Sequence, residues 1–524
     1  MRDTKHYDMA LIGLGVNPEA AGKNNKYYDF LDSIGAKFLY NSYYESYTTE
    51  PMALLHLSAQ LEKDGYSVKI VDGIIQSMGK KEILQQLLDI NCNNYAFTMF
   101  DTSEEDVCEI MREIKKYKQN AVCMTGGSYP TIEYKKILNT HPEIDFITIG
   151  DGDRVYSNYL YAIKSNQPLS TIKNLAFKNT DGEIVITERE VVNLDEQAYT
   201  SRIFAKRVID KGFSLGVNTT RGCAHGVCSF CYIKDYQKVS CQPKIRYRSP
   251  EVIVDELKAL KEKFHINKVT FCDDDFFGTD KEGIGRACNL FQEIINNKLA
   301  LSIYVIGRIR TIQLMIKLNL IPLMKKAGVS CIYLGFDSYN DDILERYKKG
   351  FKVADINQVI DALFKNGIRI NPGLITFEPI LTIDHVKHNI ELFKKLNYYD
   401  AYMFTRVLVV LPEMRKKYFN NQEIDIYKED YYYDFRTKIM YEELLKYLDI
   451  ALPYYRMVDK DKITELERGL LYLEHYRFFD YLYKELKIKG TVETKDFLEI
   501  SKARIESIVR SICSDVESRG IENG

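Results

Sequence analysis

Nowhere do the 524 residues run to the roughly eighteen uninterrupted apolar side chains that a membrane helix requires. The greasiest region, Leu299 to Met324, is cut by Arg308, Arg310 and Lys317. The opening Met1-Arg2-Asp3-Thr4-Lys5 lacks the apolar stretch and small-residue cleavage site of a signal peptide. An excess of one charge is missing too: the formal net charge is −2, and acids and bases interleave along the whole length. A dominant nucleic-acid footprint, which gathers Lys and Arg on one face, is therefore not expected. Local runs such as Lys115-Lys116-Tyr117-Lys118 read as solvated helix faces. Together these absences predict a cytoplasmic protein with neither a membrane nor a nucleic acid as partner. In that reducing compartment the eleven cysteines form no disulfide framework. Most stand singly among apolar neighbours, as Cys92, Cys123, Cys288 and Cys331 do, where buried packing is the default.

What is present is globular composition, 45% apolar and 28% charged, on a chain too long for one ordinary core. Residues 1–165 alternate short apolar runs with amphipathic stretches. Tyr7–Gly15, Ser67–Gly73, Tyr95–Phe100, Ala121–Gly127 and Asp145–Gly150 read as strands, and Met52–Asp64 and Ser103–Lys118 as helices. Such alternation implies an α/β fold with parallel strands, and five of them match a doubly wound, Rossmann or flavodoxin-like sheet. A hairpin follows, Leu175-Ala176-Phe177 and Ile184-Val185-Ile186 around Asp181-Gly182, and reads as a linker over 166–205.

Over 206–415 the alternation resumes with a longer period. Strands are expected at Phe213–Val217, Lys268–Phe271, Ser302–Ile306, Cys331–Gly335, Arg369–Ile375 and Ala401–Leu408. Ser249-Pro250 caps a helix whose Ile253, Leu257 and Leu260 share a face. Six such units form a partial (β/α)6 TIM barrel, whose chemistry sits on loops at the strands' C-terminal ends. Over 416–524 helical periodicity takes over, as in Leu466–Leu486, and predicts a helical cap.

Three cysteines are not scattered. Arg221-Gly222-Cys223-Ala224-His225-Gly226-Val227-Cys228-Ser229-Phe230-Cys231 follows the first barrel strand and puts three thiols within nine residues. Three thiolates on a glycine-containing loop wrap one soft metal centre. Iron–sulfur cubanes usually take four cysteines; with three, one iron stays open to a substrate or cofactor. The alternative is a zinc-stabilised binding protein, with Cys241 or His225 as the fourth ligand.

This loop, with Phe230 just before its last cysteine, resembles the radical S-adenosylmethionine (SAM) superfamily. The family's spacing has three residues between the first two cysteines, and here there are four. The resemblance implies a 4Fe–4S cluster on Cys223, Cys228 and Cys231, with SAM chelating the open iron. It also implies reductive cleavage of SAM to a deoxyadenosyl radical, and an electron donor such as flavodoxin or ferredoxin. Phe230 matches the aromatic position beside the adenine. Asp273, Asp274 and Asp275 replace the Gly-Gly-Glu that meets the SAM amino group, and supply the acceptors an ammonium needs. Arg308, or Arg310, follows strand three. Asp337 and Ser338, in Gly335-Phe336-Asp337-Ser338, resemble the Gly-x-Glu-Ser pattern of cobalamin-linked relatives, while Phe377-Glu378-Pro379 replaces their Gly-x-Pro.

The first domain resembles the cobalamin-binding domain fused to many of these enzymes. That resemblance rests on Met52–Gly73, on Gly126, Gly127 and Ser128 after strand four, and on Gly150, Asp151, Gly152 and Asp153 after strand five. It implies that the Gly-Gly loop approaches the nucleotide tail and the acid-bearing loop lies nearby. With no Asp-x-His-x-x-Gly motif after strand one, cobalamin would be held base-off and His-off, between the two domains. The commonest chemistry implied is methyl transfer to an unactivated carbon of a small-molecule or peptide precursor. The same scaffold without methyl transfer performs rearrangement, cyclisation or epimerisation.

Overall fold

The computed structural model describes residues 5–14, 33, 50–278, 281–396, 398, 405–408, 432–455, 457–458 and 464–522. Its first layer is built on β1 (Met9–Gly13), β2 (Val68–Asp72), β3 (Asn94–Thr98), β4 (Val122–Gly126) and β5 (Phe146–Thr148). They pair in parallel in the order β2-β1-β3-β4-β5, the flavodoxin-like order that the alternation predicts. Strands and helices fall within a few residues of the predicted bounds, including helices Met52–Lys63 and Glu104–Tyr117. The sheet's two faces carry separate apolar clusters: Ala10, Ile12 and Phe97 on one, Met9, Leu11 and Ala96 on the other. That is period-two burial with both faces covered by helices.

The hairpin corrects one expectation. β6 (Leu175–Lys178) pairs antiparallel with β5, and β7 (Ile184–Ile186) with β6, so these strands extend the sheet to seven instead of bridging two domains. Ala176 and Leu175 are buried in the sheet's two clusters, and that burial draws the hairpin onto the β5 edge.

In the second layer β8 (Leu215–Val217) is followed by a two-stranded ribbon, β9 (Thr220–Gly222) and β10 (Ile245–Tyr247), which the sequence did not suggest. Then come β11 (Lys268–Phe271), β12 (Ser302–Gly307), β13 (Val329–Asp337) and β14 (Arg369–Leu374), parallel in the order β8-β11-β12-β13-β14. The sixth barrel strand, expected over 401–408, lies largely outside the described residues. Of that stretch, Val407 makes a parallel bridge to Phe377. Ser249 does precede its helix, but its hydroxyl turns to Asp195 and leaves the helix amides uncapped.

Helices Phe435–Tyr455, Glu465–Lys489 and Lys495–Glu522 form the C-terminal cap. Thr464 and Glu467 make a reciprocal capping box for the second, and Gly490 at φ 72° ends it. Among the described residues the cap shares the barrel's core: Met440, Leu444 and Phe478 belong to the same apolar cluster as Leu334 and Phe377. Among the described residues no helix is long and apolar enough to cross a membrane.

Asp72 closes β2 and accepts the Ile75 amide at 2.8 Å. Burial pushes its carboxyl up to about 6. The folded chain thus keeps, between about pH 4 and 6, a proton that the unfolded chain releases, so the stabilisation this proton supplies fades as pH rises through that window. Asp72→Asn keeps the accepting oxygen and removes the buried charge. It is expected to stabilise the fold by about 2 kcal/mol at pH 7 and by almost nothing at pH 4, read by urea denaturation at both pH values.

Candidate functional site

The cysteine loop leaves the ribbon at Gly222, whose φ is 94°. A Cβ there would lie 2.4 Å from the Lys244 carbonyl oxygen, so only glycine lets β9 run this close to its partner strand. From there the loop is stapled to the segment after the helix Asp341–Arg346. The Ser229 amide donates to the Tyr347 carbonyl (3.2 Å) and the Ser229 hydroxyl to that of Arg346 (3.1 Å). His225 Nε2 donates to the Lys348 carbonyl at 2.8 Å. Phe230 meets the fully buried Tyr347 edge to face, centroids 4.9 Å apart. These contacts anchor the loop that carries Cys223, Cys228 and Cys231, and Cys223 Sγ lies 3.9 Å from Asp275, just past the end of β11. Burial raises all three thiols, Cys231 to about 12, so ligation must displace their protons.

One tetrahedral zinc would need sulfurs about 3.8 Å apart, given Zn–S bonds of about 2.3 Å. Among the described residues, the trio of ligand atoms lying within 4.8 Å of one another is that of Cys108, His141 and Glu143. The loop thiols are not such a set, and neither His225 nor Cys241 joins them in one. At the Cys108 trio, His141 turns its two ring nitrogens to Glu104 (3.0 Å) and Glu143 (3.3 Å), an arrangement of ordinary buried pairing.

The three aspartates after β11 divide their work. Asp273 is buried; its Oδ1 accepts the Thr219 and Thr220 amides (2.7 and 2.8 Å), and its Oδ2 the Thr219 hydroxyl (2.5 Å). Its oxygens hold the β8–β9 corner and are already taken, despite the expectation that it would meet an ammonium. Asp274 is exposed and holds only the Gly222 amide, at 3.3 Å. Asp275, fully buried, sits 3.9 Å from Cys223 Sγ and 4.0 Å from Arg308. Arg308 Nη1 is buried without a hydrogen-bond partner, an orphaned donor beside the thiols. Arg310 turns away to the Gly350 carbonyl and Gln313.

At the end of β13, Asp337 takes a left-handed φ of 63° and ion-pairs with Lys349. Lys349 stands 6.0 Å from the Phe230 ring centroid, near enough to Cys228 to oppose the rise in its thiol. Sequence reasoning missed this lysine, because no motif surrounds it. Ser338 points elsewhere, into a buried network with Asn340 and Asn389.

On the first domain, Gly126, Gly127 and Ser128 close β4 and open the helix Ser128–Thr140. Gly127 has φ 113°. A cavity of about 240 Å³ separates this loop from the cysteine loop. Gly127, Ser128 and Asp151 line one side, and Arg221, Gly222, Tyr232 and Asp274 the other. The acid-bearing loop faces the barrel: Gly150 comes so close to Ser240 that a Cβ would lie 2.7 Å from its side chain. Gly152 packs beside Leu57. Asp151 and Asp153 are taken by two arginines of the ribbon, Arg221 and Arg246. His56, buried, bonds Asn218 at 2.9 Å, and its ring is driven down to about 4 by burial and by Arg221.

Comparison with known proteins bears on the family and the fold. Residues 217–411 match the radical SAM superfamily and residues 46–160 the B12 binding domain. An anaerobic magnesium-protoporphyrin IX monomethyl ester cyclase of Synechocystis sp. is 23% identical, over 67% of this chain and 68% of its own. An uncharacterized methyltransferase of Pyrococcus horikoshii is also 23% identical, over 67% and 74%. The fold resembles OxsB, a cobalamin-dependent S-adenosylmethionine radical enzyme solved with aqua-cobalamin and S-adenosylmethionine. The TM-score is 0.68 and the identity 16%, covering 99% of this chain and 81% of that one.

The division among the aspartates is testable by urea denaturation. Asp273→Ala strands three donors and is expected to cost about 2–4 kcal/mol, whereas Asp274→Ala, on an exposed carboxylate, is expected to cost under about 1 kcal/mol.

Proposed function

The chain belongs to the radical SAM superfamily and carries a B12-binding domain, and from that premise we propose that it methylates an unactivated carbon of a small-molecule or peptide precursor. As a cobalamin-dependent radical SAM enzyme it uses a 4Fe–4S cluster, SAM and cobalamin. When bound, these supply a one-electron reductive cleavage of SAM and a carrier for the methyl group.

Every other step is the work of this chain's side chains. Cys223, Cys228 and Cys231 are the cluster ligands, presented on a loop already stapled to Arg346–Lys348. Asp274, and Asp275 where its oxygens allow, would accept from the SAM ammonium, and Arg308, which makes no hydrogen bond through Nη1, would meet the SAM carboxylate. Phe230 would lie beside the adenine. Asp337, held by Lys349, is placed for the ribose hydroxyls. Gly127 and Ser128 face the cavity where the corrinoid's tail would enter. An external electron donor such as flavodoxin or ferredoxin completes the scheme.

The observation that carries the reading is Arg308, whose buried Nη1 makes no hydrogen bond and meets only Asp275, at 4.0 Å, beside the three-cysteine loop. A ligand with an anionic group beside the cluster satisfies it; a structural metal does not. A second reading is a cyclisation or rearrangement without methyl transfer, favoured by the cyclase among the relatives.

Anaerobically reconstituted enzyme with substrate separates the two. Methylation is expected to release S-adenosylhomocysteine together with deoxyadenosine; deoxyadenosine without S-adenosylhomocysteine would transfer the assignment to the second reading. Single Cys→Ala changes at 223, 228 or 231 should abolish the cluster's visible absorption and the SAM cleavage alike.

A further inference from the structure

Arg221 and Arg246 are directly opposite one another across the β9/β10 ribbon. Like charges at opposed antiparallel positions are destabilising by themselves, so something outside the ribbon must offset the repulsion. The acid-bearing loop of the other domain does so. Arg221 forks onto Asp153 (2.6 and 2.9 Å) and reaches Asp151 at 3.1 Å. Arg246 binds both oxygens of Asp151 (2.7 and 3.1 Å) and the Val192 carbonyl (3.0 Å). The Asp151 and Asp153 side chains keep only 3% and 8% of their exposure, so their charges depend on the guanidiniums as much as the reverse. Asp153 is further fixed by Gln197 Nε2 at 2.5 Å. Arg221 stands two residues before Cys223, on the strand that feeds the cysteine loop.

We infer that Asp151, Asp153, Arg221 and Arg246 form a positioning device that sets the cysteine loop relative to the B12-binding domain. Two bidentate fork contacts fix direction as well as distance, which a single lysine contact would not. The four side chains are positioning residues: they act through the loop that bears the cysteines and through the strand-five loop, and they touch no reacting atom. Methyl or radical transfer between centres on two domains needs such fixing, because small misplacements lower rates steeply. The inference rests on the cluster and cobalamin assignments of the proposed function.

The test uses the full-length chain reconstituted with iron, sulfide and cobalamin, reduced so that the cluster and the cobalt are both paramagnetic. Their separation is then read by pulsed dipolar EPR. Wild-type protein is expected to give one narrow distance distribution. In Arg221→Gln it broadens and shifts; in Arg221→Lys, which keeps the charge but loses the fork, it broadens less. An unchanged narrow distribution in Arg221→Gln overturns the positioning role while leaving the cofactors in place. Absence of either signal in the wild type overturns the cofactor reading beneath it. Should Arg221→Gln yield no soluble protein, Asp153→Asn is measured in its place and judged by the same two results.

Discussion

A seam of buried carboxylates and guanidiniums joins the two layers, and the candidate site depends on it. From the first domain come Glu50, Asp151 and Asp153; from the second come Arg221, Arg246 and Arg248, with Arg202 between them. Arg202 bridges Glu50 (2.7 Å) and Glu256 (3.1 Å), while Arg248 holds Glu256 from the other side at 2.8 Å. Glu50 also accepts the Gly216 amide on β8 at 2.9 Å. Paired charges out of water tolerate little displacement, since breaking one contact leaves its partner uncompensated. Slippage between the domains is therefore costly, and the cavity between them keeps its shape.

The cysteine loop inherits this rigidity. One end leaves a ribbon anchored to the first domain, and the other is stapled to backbone carbonyls beyond β13. Under it lies a tier of acids with distinct duties. Asp273 spends its oxygens on the β8–β9 corner, Asp275 faces Arg308, and Asp274 stays open to solvent. Asp275 also takes the Gly278 amide, at 3.2 Å, so Asp274 is the acid of the three left open to a ligand. Fusing the helical cap into the barrel's own apolar cluster gives the barrel a continuous back wall.

Much of this was legible beforehand. The five strands and two helices read in the first domain and five of the six barrel strands fall close to where hydrophobic periodicity puts them, because buried parallel strands read as short apolar runs. The thiol loop was legible because its chemistry needs a tight local spacing. The β9/β10 ribbon was not, for its Ile-Arg-Tyr and Thr-Arg-Gly strands are three residues long and only half-buried. The hairpin was recognised as a hairpin, yet its attachment to β5 depends on an edge far away in sequence.

Residue types and local spacing, by themselves, determined the elements, their order and the cysteine cluster, since those rest on periods of two and 3.6 residues and on the reach of one loop. Tertiary structure alone decided which polar groups are committed. It gave Asp151 and Asp153 to arginines 68 to 95 positions away, gave Asp273 to Thr219 and Thr220, and brought Lys349 to the cysteine loop. A carboxylate's partner is set by distance in space and by burial, and neither is written in the neighbouring residues.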